Sequence, residues 1–121
     1  SDGRSIRDYI YVADVVSAYL ALAEQIEAPG VRGQAFNFSP ETRVSVFEIV
    51  QTISLIMSSH LEPIVRDVAS HEIKDQTLDS SKARRVLGWR AEWTLDAGLR
   101  ETIEWYRRIL HQEGTLVDAS R

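Results

Sequence analysis

The sequence contains no cysteine, which excludes disulfide scaffolds, thiolate metal sites and cysteine nucleophiles together. It has no apolar run of membrane-spanning length and no charged-then-apolar opening segment, so a membrane partner is not expected and the cytoplasm is the default compartment. Cations are not in excess either. Fourteen Lys and Arg stand against eighteen Asp and Glu, for a net charge of −4. A nucleic-acid binder concentrates cations to neutralise phosphates, and this balance disfavours that role. Arg84, Arg85, Arg107 and Arg108 are interleaved with acids and read as solvated helix faces.

Catalytic signatures are missing as well. The glycines are Gly3, Gly30, Gly33, Gly88, Gly98 and Gly114, and none form the G-x-G-x-x-G loop that lets backbone approach a pyrophosphate. Four residues beyond Tyr9, Tyr11, Tyr19 and Tyr106 stand Ala13, Val15, Ala23 and Leu110. The Tyr-x-x-x-Lys pair of a short-chain dehydrogenase, in which the Lys lowers the phenol's pKa, is therefore absent. His60, His71 and His111 lack helical i, i+4 partners, so ordinary surface histidines are a better reading than a metal site. No G-x-S-x-G elbow offers a serine nucleophile.

What is present describes one α+β domain. The 121 residues, 44% hydrophobic and 26% charged, suit a soluble fold with a modest core. Tyr9–Val12 reads as a short strand, followed by a helix that Asp14 precedes and whose apolar stripe is Val12, Val16, Tyr19, Ala23 and Ile26. Ala35–Phe38 and Pro63–Val65 read as two further short strands. Ser45 and Glu48 have capping-box spacing ahead of the face Val46, Ile49, Val50, Ile53, Ile56 and Met57. Residues 67–78 lack periodicity and read as irregular. Asp79 or Ser80 can cap a short helix that Gly88 ends. Thr94 starts a last helix lined by Leu95, Leu99, Ile103, Tyr106 and Leu110, where Glu104 can pair with Arg108 and Gly98 hints at close packing. Trp89, Trp93 and Trp105 read as packing residues.

Four stretches, in order, carry a resemblance. They are Gly3 with Arg7-Asp8-Tyr9-Ile10-Tyr11-Val12-Ala13-Asp14, then Gly33-Gln34-Ala35-Phe36-Asn37-Phe38-Ser39. Asp79-Ser80-Ser81-Lys82-Ala83-Arg84-Arg85-Val86-Leu87-Gly88-Trp89 and the closing Leu99–Tyr106 segment follow. The set resembles the C-terminal part of the extended short-chain dehydrogenases, the NAD-dependent epimerase/dehydratase family. The wording around Phe36–Ser39 and Leu78–Lys82 is most similar to the CDP-glucose 4,6-dehydratase branch. The resemblance implies a helix-rich α+β substrate-binding lobe over residues 1–113, with 114–121 as a tail and the Rossmann sheet absent. It implies transient oxidation at C4 of a hexose, elimination of water and return of the hydride. NAD(P) would sit in a missing N-terminal Rossmann domain, none being bound by this chain alone.

On that resemblance Arg7 matches the arginine that holds the substrate diphosphate, which suits a guanidinium fork. Asn37 matches a strand-end residue reaching the same diphosphate or its sugar, although a strand-end Asn also serves turns. Relatives carry an R-x-x-D element before the D-x-S-K-A motif. Here Ala69 occupies the Arg position, with Arg66 nearby, and Glu72 keeps the acid that meets a ribose diol. Asp8 and Asp14 read as stabilisers of local turns, and Lys82 as decoration on a docking helix. The expected role is the nucleotide-sugar-binding portion of a dehydratase or epimerase (a lyase or isomerase), inactive alone. A free-standing binding or assembly module on the same scaffold is the alternative. Apolar surface left by the missing half is expected to drive self-association.

Overall fold

The computed structural model describes residues 2–66 and 71–118, and for 112–118 the backbone alone. Its elements are β1 (Ile6–Arg7), α1 (Val12–Glu24), β2 (Val44–Ser45), α2 (Val46–Ile56), β3 (Asp75–Gln76), α3 (Ser81–Leu87) and α4 (Leu95–Asp118). The strands form one small sheet in the order β2-β1-β3, antiparallel on the first side and parallel on the second. This is the helix-rich α+β architecture expected, in a fold whose strands serve chiefly to hold loops in register.

The helix starts follow from local chemistry. Ser45 Oγ accepts from Glu48 N at 3.1 Å while Glu48 Oε2 accepts from Ser45 N at 2.7 Å, closing the capping box of α2. Thr94 Oγ1 accepts from Ala97 N at 3.2 Å and opens α4. Gly88, at φ 68°, ends α3 in the left-handed region that a residue with a Cβ rarely adopts. Inside α4, Gly98 lies against Tyr11: a Cβ added there would come within 2.9 Å of the Tyr11 Cβ. The close packing expected at Gly98 is present, and α4 continues through Gly114 to Asp118.

The core joins α1, α3 and the loops beside them through Ala18, Val31, Ala83, Leu87 and Trp89. Phe38 meets the edge of Trp89 with ring centroids 5.0 Å apart. The indole Nε1 of Trp89 donates to Ser17 Oγ at 2.9 Å, so the ring's polar atom is satisfied inside. Asp14 does not precede α1. It lies in the first turn, buried, and its carboxylate accepts from Glu92 N at 2.9 Å and Trp93 N at 3.2 Å. It clamps the approach to α4 onto α1 rather than capping its own helix.

Several local expectations fail, for a common reason. Tyr9–Val12, Ala35–Phe38 and Pro63–Val65 form no strand among the described residues, while Ile6–Arg7 and Asp75–Gln76 do. A strand exists by its ladder, and strand-like residues without a neighbour form none; Val12 instead opens α1. The stripe of α1 also turns outward: Val12, Val16, Tyr19 and Ile26 are exposed. Trp105 is not in the core but exposed on α4, as are Tyr106 and Leu110.

Candidate functional site

The three strands set up two faces beside Arg7. Residues directly opposed across a ladder point to the same side. Arg7 is opposed by Val44 and by Gln76, and Ile6 by Ser45 and Asp75. Arg7 is half-buried on the central strand, and its Nη1 donates to its neighbour's carbonyl, Ile6 O, at 2.7 Å. On the other face Arg43 reaches from beside β2 across β1 to the carboxylate of Asp75. Its second nitrogen approaches Thr77 Oγ1 at 3.4 Å.

The segment after Arg7 is latched to two loops. Asp8 Oδ2 accepts from Ser39 Oγ at 2.5 Å and from Leu78 N at 2.8 Å. Ser80 Oγ donates to Ser39 O at 3.1 Å, and Ser80 N donates to Glu41 Oε1 at 2.7 Å. Arg84 Nη1 completes the latch on Glu41 Oε2 at 2.6 Å. Glu41 itself sits at φ 57°, held there from both sides. Its carboxyl is held below its ordinary value of 4.5 by the Arg84 hydrogen bond first and the Ser80 amide second. Sequence reasoning gave Asp8 a structural role, which the geometry matches. It missed the Glu41–Arg84 pair, for which the turn-forming Pro40-Glu41 offered the only local signal.

Asn37 is exposed in the extended segment before Ser39, and Glu72 is half-buried just ahead of β3. Arg7 thus lies on β1, Glu72 precedes its neighbour β3, and Asn37 stands two residues before Ser39, which is bonded to Asp8. Ala69 lies outside the described residues, and Arg66 is exposed. Lys82 does more than decorate α3. Its Nζ donates to Gln34 Oε1 at 3.0 Å and Ala35 O at 2.9 Å and stands 4.7 Å from the Phe36 ring centroid, pinning the segment that carries Asn37.

Two of the cavities adjoin α1. One of about 600 Å³ is lined by Ile10, Tyr11, Val12, Trp105, Tyr106 and Arg108 among others. Another of about 350 Å³ runs between α1 and the extended segment, along Val15, Tyr19, Leu22, Phe36 and Phe38. Both are mainly apolar and adjoin the outward stripe of α1. No helix of the described residues is long and apolar enough to cross a membrane. No group of three His, Asp or Glu among them is placed to hold a metal.

Gly3, Gly30, Gly33 and Gly88 have positive φ and Gly98 packs on Tyr11, and among the described residues these glycines form no G-x-G-x-x-G loop at a helix start. No hydride step is assigned to this chain's own side chains.

No family model matches the chain. It is 31% identical over 106 residues to a UDP-glucose 4-epimerase of Mycolicibacterium smegmatis, covering 88% of this chain and 33% of the relative. It is 30% identical over 118 residues to a dTDP-glucose 4,6-dehydratase of Neisseria meningitidis serogroup B, covering 87% and 32% respectively. Among solved structures, a Thermotoga maritima UDP-glucose 4-epimerase with UDP-glucose superposes with a TM-score of 0.81 at 29% identity, over 91% of this chain and 34% of the other. The chain therefore belongs to the extended short-chain dehydrogenases of the NAD-dependent epimerase/dehydratase family. It spans about a third of the length of these relatives.

Proposed function

We propose that this chain is the nucleotide-sugar-binding portion of an NAD(P)-dependent 4,6-dehydratase or epimerase. The cofactor belongs to a Rossmann domain outside these 121 residues. The observation that supports this most is Arg7, a half-buried guanidinium on the central strand of the sheet, beside a loop latch that fixes its neighbour Asp8. Such a fork matches the paired oxygens of a diphosphate. Asn37 reaches the same diphosphate or its sugar, and the Glu72 carboxylate accepts from the ribose hydroxyls. The chain's part is to bind and orient; the hydride carrier and proton-transfer groups lie in the other domain.

Two features support the missing partner. The outward stripe of α1 is an apolar surface without a core to enter. Ala35–Phe38 is strand-like chain without a ladder, and the edge of a nucleotide-binding sheet supplies one. In isolation a second copy covers the same face, so the chain self-associates. The compartment assigned is the cytoplasm.

Calorimetric titration with nucleoside diphosphates is expected to show binding that Arg7→Ala removes. The chain mixed with NAD and CDP-, UDP- or dTDP-glucose is expected to give no turnover. Tighter binding of CDP than of UDP would support the CDP-glucose branch that the sequence wording favours. Turnover by the chain alone would overturn its assignment as a binding portion, and binding indifferent to Arg7 would overturn the role of that residue.

A further inference from the structure

The register of the sheet places a second polar side chain beside Arg7. We propose that Gln76 donates to the same diphosphate, so that the β1–β3 pair grips it with one row of side chains. This rests on the assignment of Arg7 above and names a further contact at that site. Gln76 is the direct parallel partner of Arg7, so both project from the same face. It is exposed on β3, which among the described residues pairs with β1 alone and forms an edge of the sheet. A Gln side chain carries two N–H donors and, unlike Lys, can also accept from a sugar hydroxyl.

The surrounding groups favour an anion at this row. Val44, the third member, is buried and apolar, and supplies a wall without a competing acceptor. The carboxylate of β3, Asp75, points to the opposite face and is paired there with Arg43. Asp8, on that opposite face too, is occupied by Ser39 and Leu78. Hence the row of Arg7 contains a cation, an amide and a hydrocarbon wall, and the carboxylates adjoining it in sequence, Asp8 and Asp75, are engaged by other groups. Sequence inspection gave no sign of this, since Asp75-Gln76 lies in a stretch without periodicity.

Calorimetric titration of the chain with UDP, and separately with inorganic pyrophosphate, tests the proposal. Loss of one hydrogen bond to a charged group corresponds to about a tenfold weaker Kd for Gln76→Ala. Gln76→Glu, of the same size, is expected to weaken binding further by adding a charge of the wrong sign, and Gln76→Lys to preserve or tighten it. Thermal melting checks that these exposed-edge variants stay folded. Loss of binding in Arg7→Ala, with all three Gln76 variants equal to the unsubstituted chain, would sink the role of Gln76 and leave that of Arg7 standing. Absence of UDP and pyrophosphate binding by the unsubstituted chain would overturn both.

Discussion

Asp14 and Val16 stand two places apart on α1 and have exchanged the places their chemistry would suggest. The carboxylate is 2% exposed and the valine 52%. On the inner side of α1, Asp14, Ser17 and Ala18 meet Trp89 and the backbone of Glu92 and Trp93 through satisfied hydrogen bonds. On the outer side, Val12 and Tyr19 border apolar grooves and Val16 is exposed between them in sequence. A helix normally buries its apolar stripe in the core of its own domain. Here the inner contacts specify the lobe, and the outer stripe is laid out for something the lobe does not contain.

The sharpest way to break this comparison is to empty the inner side. Asp14→Ala leaves two part-buried amides without an acceptor and is expected to cost about 1–3 kcal/mol, read by urea denaturation. A loss below half a kcal/mol would show that the inner clamp is incidental. Gly98→Ala drives a methyl into Tyr11, whose Cβ is 2.9 Å away. Overpacking is expected to outweigh the gain in helix propensity, for a net loss of about 1–2 kcal/mol.

A smaller effect comes from the loop latch. Because Glu41 titrates below its ordinary 4.5 in the folded chain, its contribution is complete above that value and is lost as pH falls through the depressed pKa. Denaturation midpoints of the chain and of Glu41→Gln should therefore differ at neutral pH and converge in acid. A gap that persists at low pH would show that Glu41 acts without its charge. Smallest of all, Val16→Asn with Tyr19→Ser is expected to change stability by no more than about 0.5 kcal/mol. Sedimentation equilibrium should show self-association lost in that variant. A large drop in stability would place the outer stripe in the core after all.

Signals confined to a few neighbouring residues were legible in advance. Ser45 with Glu48 and Gly88 each satisfy a backbone requirement within a turn, and each appears where expected. The ordered motifs gave the family, because many weak positions add. The strands were misplaced because two-residue elements carry no alternation to read, whereas Ala35–Phe38 alternates well and has no ladder. The direction of the α1 stripe was unreadable for a related reason: periodicity says which residues share a face, not what covers it. At the candidate site, Arg7 stood out through its motif. Glu41, Arg84 and Gln76 meet their partners only across folded loops and register, at sequence distances where no local pattern reports them.

The three tryptophans give this lobe an optical signature. They are 5%, 38% and 52% exposed at positions 89, 93 and 105. Emission from Trp89 should lie to the blue and resist iodide, while Trp105, beside the 600 Å³ groove, should emit to the red and be readily quenched. Anything that settles over α1 and α4 must shade Trp105 before it disturbs Trp89. The chain thus contains its own dye for docking and its own internal standard for folding, separable by a quencher in a single cuvette.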